Sequence, residues 1–278
     1  MKTCTLRFLF PALAVALLAA GQSLAAFVLV DDFESYSTGN ANGGGSTAFT
    51  GNGGPWQPRD SGGDIGGSGL IRVENDSSTN HLAFGWNAGT RSAYLPSTTP
   101  IADGDSATYY FQVRTTDDTP DMSYGLSDEP TATGAGFGDF EAQVALVDDG
   151  DNGNGEFKLI ARDGADGFVD LATGLVADTW YDIWLVVNNA TDTYTVYMDA
   201  NGGDPDALGS LVGQGLGFRN GPASNDLVTF MVLEPNGNPT DATAHLDNIY
   251  YSRTTVPEPS TIALAVGAVA LLAYRRVR

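Results

Sequence analysis

Five oxygen-bearing residues stand close to the two ends of the central part of the chain: Asp31, Asp32, Glu34, Asp247 and Asn248. Their chemistry depends on whether the first and last strands lie side by side. If they do, several carboxylates converge and repel one another unless they are protonated or neutralised by a cation. A hard cation with six to eight oxygen ligands suits such a set, which predicts a structural Ca²⁺ that locks the termini of the domain, helped by backbone carbonyls. The competing reading is a solvated acidic edge that discourages strand-to-strand association.

Other groupings are weaker. The stretch Asp148-Asp149-Gly150-Asp151-Asn152-Gly153-Asn154-Gly155-Glu156 is acidic. Counted from Asp149, however, its fifth position is Gly153 and no acid stands at position twelve, so it is not an EF-hand loop. It reads as a polar hairpin loop, as does 199–206. Asp139 and Glu141 share a strand phase without a third carboxylate. The two histidines are His81 and His245, and His245 shares a phase with Asp247. No Gly-x-Ser-x-Gly elbow is present, so the sequence shows no activated serine. Gly134 to Gly138 lacks the strand-to-helix setting of a phosphate loop and reads as a turn. No catalytic set is expected. For sugar binding the candidate aromatic platforms are Trp56 and Trp86, with Tyr94 and Tyr124. Trp56 stands in a Gly-rich excursion where a core role is less obvious, and loops on a rigid scaffold are favoured binding places. Trp180 and Trp184 are assigned to the core.

The elements that must position these residues are short strands. Apolar residues alternate in brief runs broken by Gly, Asn, Asp and Pro. In 180–188, Tyr181, Ile183, Leu185 and Val187 fall on one face and Trp180, Trp184 and Val186 on the other. This predicts a central strand, a turn over 188–192 and a return strand over 193–198. Further strands are expected at 27–32, 69–74, 81–86, 107–114, 121–126, 140–147, 156–162, 168–171, 227–233 and 244–252. The segment 37–69 reads as a long loop excursion. About a dozen strands without a helical pattern predict an all-β, two-sheet antiparallel sandwich over residues 26–255.

The 278 residues carry 13 basic and 34 acidic groups, a net charge of −21. Five of the basic residues lie in the end segments, so the domain with Glu258 holds eight basic residues against 34 acidic ones, a net −26. Such a surface offers no basic face to nucleic acid or anionic lipid, and suits solubility, cations and neutral polymers. The one cysteine, Cys4, precedes the domain, which excludes a disulfide, a thiol nucleophile and sulfur-bound metal there.

The ends read as topogenic segments. Residues 1–25 have a Lys2/Arg7 n-region, a Phe8–Ala20 apolar run and Ser23-Leu24-Ala25 before the expected mature start at Ala26. They predict a secretory signal helix cut by signal peptidase. Residues 256–278 hold Val256-Pro257-Glu258-Pro259-Ser260-Thr261, an apolar run from Ile262 to Tyr274, and Arg275, Arg276 and Arg278. They predict a short transmembrane helix with its arginines on the cytoplasmic side.

This tail resembles the PEP-CTERM sorting signal of bacteria. The resemblance implies processing near Pro257-Glu258-Pro259 by an exosortase-type membrane protease, and an extracellular polysaccharide context. The pieces 179–187 and 194–199, with Asp31 to Tyr36 and Leu246 to Tyr251, resemble the concanavalin A-like, laminin-G-like jelly roll. That fold hosts lectins, adhesion modules, hydrolases and lyases. The Glu-x-Asp-x-x-Glu strand motif of its laminarinase-like hydrolases does not occur here. The resulting expectation is an exported envelope or matrix protein, anchored before processing, that binds extracellular polysaccharide without catalysis. The alternatives are a polysaccharide hydrolase or lyase of the same fold, and a structural surface protein without ligand.

Overall fold

The computed structural model describes residues 26–40, 49–51, 54–60, 71–76, 79–85, 91–130, 136–151, 153–221, 225–234 and 244–253. The expected signal segment, residues 1–25, the sorting tail, 256–278, and Trp86 lie outside them. Among the described residues no helix is long and apolar enough to cross a membrane.

Two antiparallel sheets pack face to face. The first contains β1 (Val28–Asp31), β2 (Gly39–Asn40), β5 (Ile71–Asp76), β6 (Thr79–Phe84), β8 (Ser106–Thr115), β13 (Tyr181–Asn188), β14 (Thr193–Ala200), β15 (Ser210–Gly217) and β17 (Ala244–Ser252). Its order is β15-β14-β13-β8-β17-β6-β5-β2. On the edge of β17 away from β8, β6 pairs along Ala244–Leu246 and β1 along Ile249–Tyr251. The second sheet contains β3 (Phe49–Gly51), β4 (Gly54–Asp60), β7 (Arg91–Ile101), β9 (Asp121–Ser127), β10 (Ala142–Asp148), β11 (Glu156–Asp163), β12 (Gly167–Val176) and β16 (Leu227–Glu234). Its order is β12-β11-β10-β9-β16-β7-β4-β3.

Alternation along each strand builds the core. Tyr109, Phe111 and Val113 of β8 point inward with Tyr181, Ile183, Leu185 and Val187 of β13 and meet Tyr124 and Phe230 of the other sheet. Phe111 stands edge-on to Phe230, with ring centroids 5.2 Å apart, and Tyr109 stacks on the same ring at 5.9 Å. Each large side chain so buried contributes about 1.5–3 kcal/mol. The expected hairpin forms, with Tyr181 opposite Ala200 and Asn188 opposite Thr193.

Two expectations need correction. The segment 37–69 is not a loop throughout: β2, β3 and β4 lie within it, and β4 pairs with β7. β7 and β15 were also not expected. β7 carries Pro96 and Pro100, and β15 carries Gly213, Gly215 and Gly217, residues that weaken a strand locally. Pairing along neighbours outweighs that local preference.

Candidate functional site on the outer face of the nine-stranded sheet

The phase of β8 that turns from the core carries Tyr110, Gln112 and Arg114. Their neighbours across the ladders are Trp184 and Asp182 on β13, and His245 and Asp247 on β17. His81 of β6 lies opposite Glu74 of β5. Together these side chains cover the outer face of the nine-stranded sheet with polar and aromatic groups.

At one end of that face Tyr110, Trp184 and Tyr197 form a small separate apolar cluster. Beside it, buried Asp182 accepts from the Tyr110 hydroxyl at 2.9 Å, from Gln112 Nε2 at 2.8 Å and from the Gly203 amide at 2.8 Å. Trp184 Nε1 donates to the Pro205 carbonyl at 2.9 Å. The loop between β14 and β15 is thus tied down onto this end of the face. It needs Gly202 there, because a Cβ at that position would lie 2.4 Å from Asp182 Oδ2.

At the other end the two histidines meet. Their ring centroids are 4.6 Å apart, and Trp180 packs against both, at 5.8 Å from His81 and 6.2 Å from His245. Trp180 is half-buried, not a core residue as expected. The Arg114 guanidinium stands 4.8 Å from the Trp180 ring centre, within cation–π range. Arg114 also donates from Nε to His245 Nδ1 at 3.0 Å and pairs through its Nη1 with Asp76 at 2.5 Å. Arg72 pairs with Glu74 Oε1 at 2.5 Å. Glu74 Oε2 lies 3.4 Å from His245 Nε2 and 3.8 Å from His81 Nε2. Burial, with His81 and the Arg114 charge, pushes His245 down to about 3, and burial with Arg114 lowers His81, so both imidazoles are neutral.

The structure brings together some of the sequence-predicted residues and separates others. β1 does lie beside β17, so Asp31, Asp32 and Glu34 approach Asp247. Burial, then Glu34, Asp32 and Asp31, push Asp247 up to about 8. Asp31 itself turns inward and is fully buried. Its oxygens accept from the Phe33 amide at 3.0 Å, the Tyr36 hydroxyl at 2.8 Å and Trp56 Nε1 at 2.7 Å, which commits it as an anchor of the core, not a calcium ligand. Asn248 sits at a bulge in β17 with φ of 51°, and its Nδ2 donates to Gln112 Oε1 at 2.6 Å. A left-handed backbone of this kind suits asparagine, and the inserted residue changes the strand's phase. Glu34 Oε1 accepts from the Asn80 amide at 2.8 Å.

Trp56, the first aromatic platform expected from sequence, has no exposed surface. It packs against Phe33 at 5.6 Å, so it cannot present a ring to a sugar. Tyr124 is likewise buried, and Tyr94 lies on β7 opposite Met231. Glu141 is buried and accepts from the Asn220 side chain at 2.8 Å, so it is not on an exposed strand face. The acidic loop between β10 and β11 is a hairpin loop as expected, and Asp149 accepts from the Asp151 amide and Asn154 Nδ2, both at 2.8 Å.

Sequence reasoning missed Glu74, Arg114 and Trp180, and did not bring His81 to His245. The alternation places each histidine off the core phase, but the adjacency of β5, β6, β17 and β8 is long-range.

No protein-family model and no curated protein matches the chain. Among solved structures it is similar to a GH131 β-glucanase catalytic domain from Podospora anserina, at 14% identity, over 82% of this chain and 98% of that one, with a TM-score of 0.49. It is similar to lectin I-B4 from Griffonia simplicifolia in its metal-free form, at 12% identity, over 71% and 92%, with a TM-score of 0.42. It is similar to the exoplasmic/lumenal domain of VIP36 in a Ca²⁺- and Man-bound form, at 9% identity, over 78% and 91%, with a TM-score of 0.42. At these values no residue role passes from those proteins to this chain, which is an all-β, antiparallel two-sheet sandwich.

Proposed function

We propose that the chain is an exported envelope or matrix protein whose sandwich binds extracellular polysaccharide on the outer face of the nine-stranded sheet. One observation carries the reading. Trp180 is half-buried at the end of that face, with the Arg114–Asp76 pair, the Arg72–Glu74 pair and the buried histidines around it. An aromatic ring beside fixed donors and acceptors is the chemistry that holds a sugar, apolar ring face to indole and hydroxyls to charged groups. Delivery rests on the sequence: signal peptidase acts after Ala25, and an exosortase-type protease acts at the Val256–Thr261 box ahead of the arginine tail.

Calcium belongs to this reading in a narrower form than the sequence suggested. Burial and the neighbouring Glu34 and Asp32 disfavour the ionised form of Asp247, and a hard cation among the three would relieve that. Added Ca²⁺ is expected to raise the melting temperature of chelator-stripped protein, and no shift would remove calcium from the account.

A polysaccharide hydrolase or lyase is the second reading, favoured by the neutral imidazoles beside the Glu74 carboxylate. The experiment that separates the two incubates the protein with the extracellular polysaccharide of its own source and follows both co-sedimentation and new reducing or unsaturated ends.

A further inference from the structure

We propose that Glu74, His81 and His245 form a binding site for a divalent transition-metal ion of the Zn²⁺ class. The three side chains bring one ligand atom each within 4.8 Å of one another. They come from three neighbouring strands, so the sheet itself fixes their spacing. A tetrahedral ion with bonds of about 2.0–2.1 Å needs its ligand atoms roughly 3.3 Å apart. The distances from Glu74 Oε2, 3.4 Å to His245 Nε2 and 3.8 Å to His81 Nε2, lie close to that spacing, and the ion draws the two imidazoles together from a separation within 4.8 Å.

The second observation is independent of that spacing. His81 is 1% exposed and His245 is 3% exposed. Both ring nitrogens of His81 and Nε2 of His245 are buried without a hydrogen-bond partner among the described residues. Leaving a polar atom buried and unpaired costs about 1–3 kcal/mol, and a fold seldom carries three such atoms in two touching rings for nothing. An ion between the rings satisfies one nitrogen on each. Two nitrogens and one carboxylate oxygen make a donor set suited to Zn²⁺ and its neighbours, not to calcium. The Glu74 side chain is 34% exposed, so solvent reaches the triad from that side and can supply a fourth ligand.

The surrounding charges set the terms of binding. Arg72 and Arg114 are balanced by Glu74 and Asp76 before an ion arrives. Arg72 holds Glu74 Oε1 and leaves Oε2 toward the rings. Arg114 Nε donates to His245 Nδ1, which places the proton of the neutral ring on Nε2. Metal capture at Nε2 therefore moves that proton to Nδ1 and makes Arg114 Nε let go, while Asp76 retains the guanidinium. Arg114 is thus a positioning residue that opposes the ion.

The test uses the full chain, stripped with chelator and titrated with Zn²⁺ by calorimetry, then with Co²⁺ followed by visible absorption. The expected result is one ion per chain and the visible bands of a four- or five-coordinate Co²⁺ with nitrogen ligands. Glu74→Gln, His81→Gln and His245→Gln are each expected to weaken binding at least tenfold, and Arg114→Gln to tighten it about tenfold. Glu74→Gln alters a half-exposed side chain and keeps the test open if a histidine variant fails to fold. Absence of Zn²⁺ binding, or binding undiminished in Glu74→Gln and insensitive to Arg114→Gln, overturns the proposal.

Discussion

The indole Nε1 of Trp56 donates to Asp31 Oδ2 at 2.7 Å, within the core, where an aspartate is the unusual member of the pair. The bond ties β4 of one sheet to β1 of the other and gives a buried carboxylate one of its three donors. Burial raises the Asp31 pKa while these bonds act against the rise. Trp56→Phe keeps most of the packing and removes this donor. It is expected to lower unfolding free energy by about 1.5–3 kcal/mol in a denaturant titration, while polysaccharide binding by the folded fraction stays unchanged. A loss of binding without a loss of stability would return Trp56 to the ligand surface.

Gly125 is a second structural point with a sharp expectation. It lies in β9 between β10 and β16, and a Cβ there would fall 2.0 Å from the Ala142 carbonyl oxygen. That oxygen belongs to a paired strand and cannot swing away as a side chain would. Gly125→Ala is expected to cost about 3 kcal/mol or more, at the upper end of overpacking changes. It should be read as a fall in the midpoint of chemical unfolding or as insoluble expression.

Asp121 gives the pH dependence. Burial alone pushes its carboxyl up to about 6 from 3.8. Because the folded value lies above the unfolded one, its contribution to stability is fully present below about pH 4 and is lost as pH rises through about 6. Asp121→Asn stays neutral throughout. The variant is expected to match the parent near pH 4 and to exceed it at pH 7.5 by about 1–2 kcal/mol, once partial exposure is allowed for. Unfolding curves at the two pH values check this, and an equal difference at both would refute the assignment.

The sandwich was legible because its central strands alternate cleanly. The phase of β13 alone places Tyr181, Ile183, Leu185 and Val187 in the core, and β17 runs over the expected residues, Ala244–Ser252. β4 was hidden by glycine and proline around Trp56, although Trp56 itself signals a buried strand once its pairing is known. The site was legible only in pieces. His245 and Asp247 share a phase by alternation, but nothing local brings β5 and β6 alongside β17. The meeting of Glu74, His81 and His245 is therefore a product of topology. The terminal acidic group failed at Asp31 for a related reason. Sequence adjacency with Asp32 conceals that one residue faces the core and accepts from Trp56, while the other is only half-buried.

The central claim is polysaccharide binding at the Trp180 end of the outer face, and co-sedimentation tests it most directly. The full chain and its Trp180→Ala variant are incubated with the extracellular polysaccharide of the source organism, with unfolding curves run in parallel. The account predicts that the parent co-sediments without generating new chain ends, and that Trp180→Ala loses at least tenfold in affinity while remaining folded. Binding that is unaltered in a folded Trp180→Ala variant, or no binding by the parent at all, would contradict it.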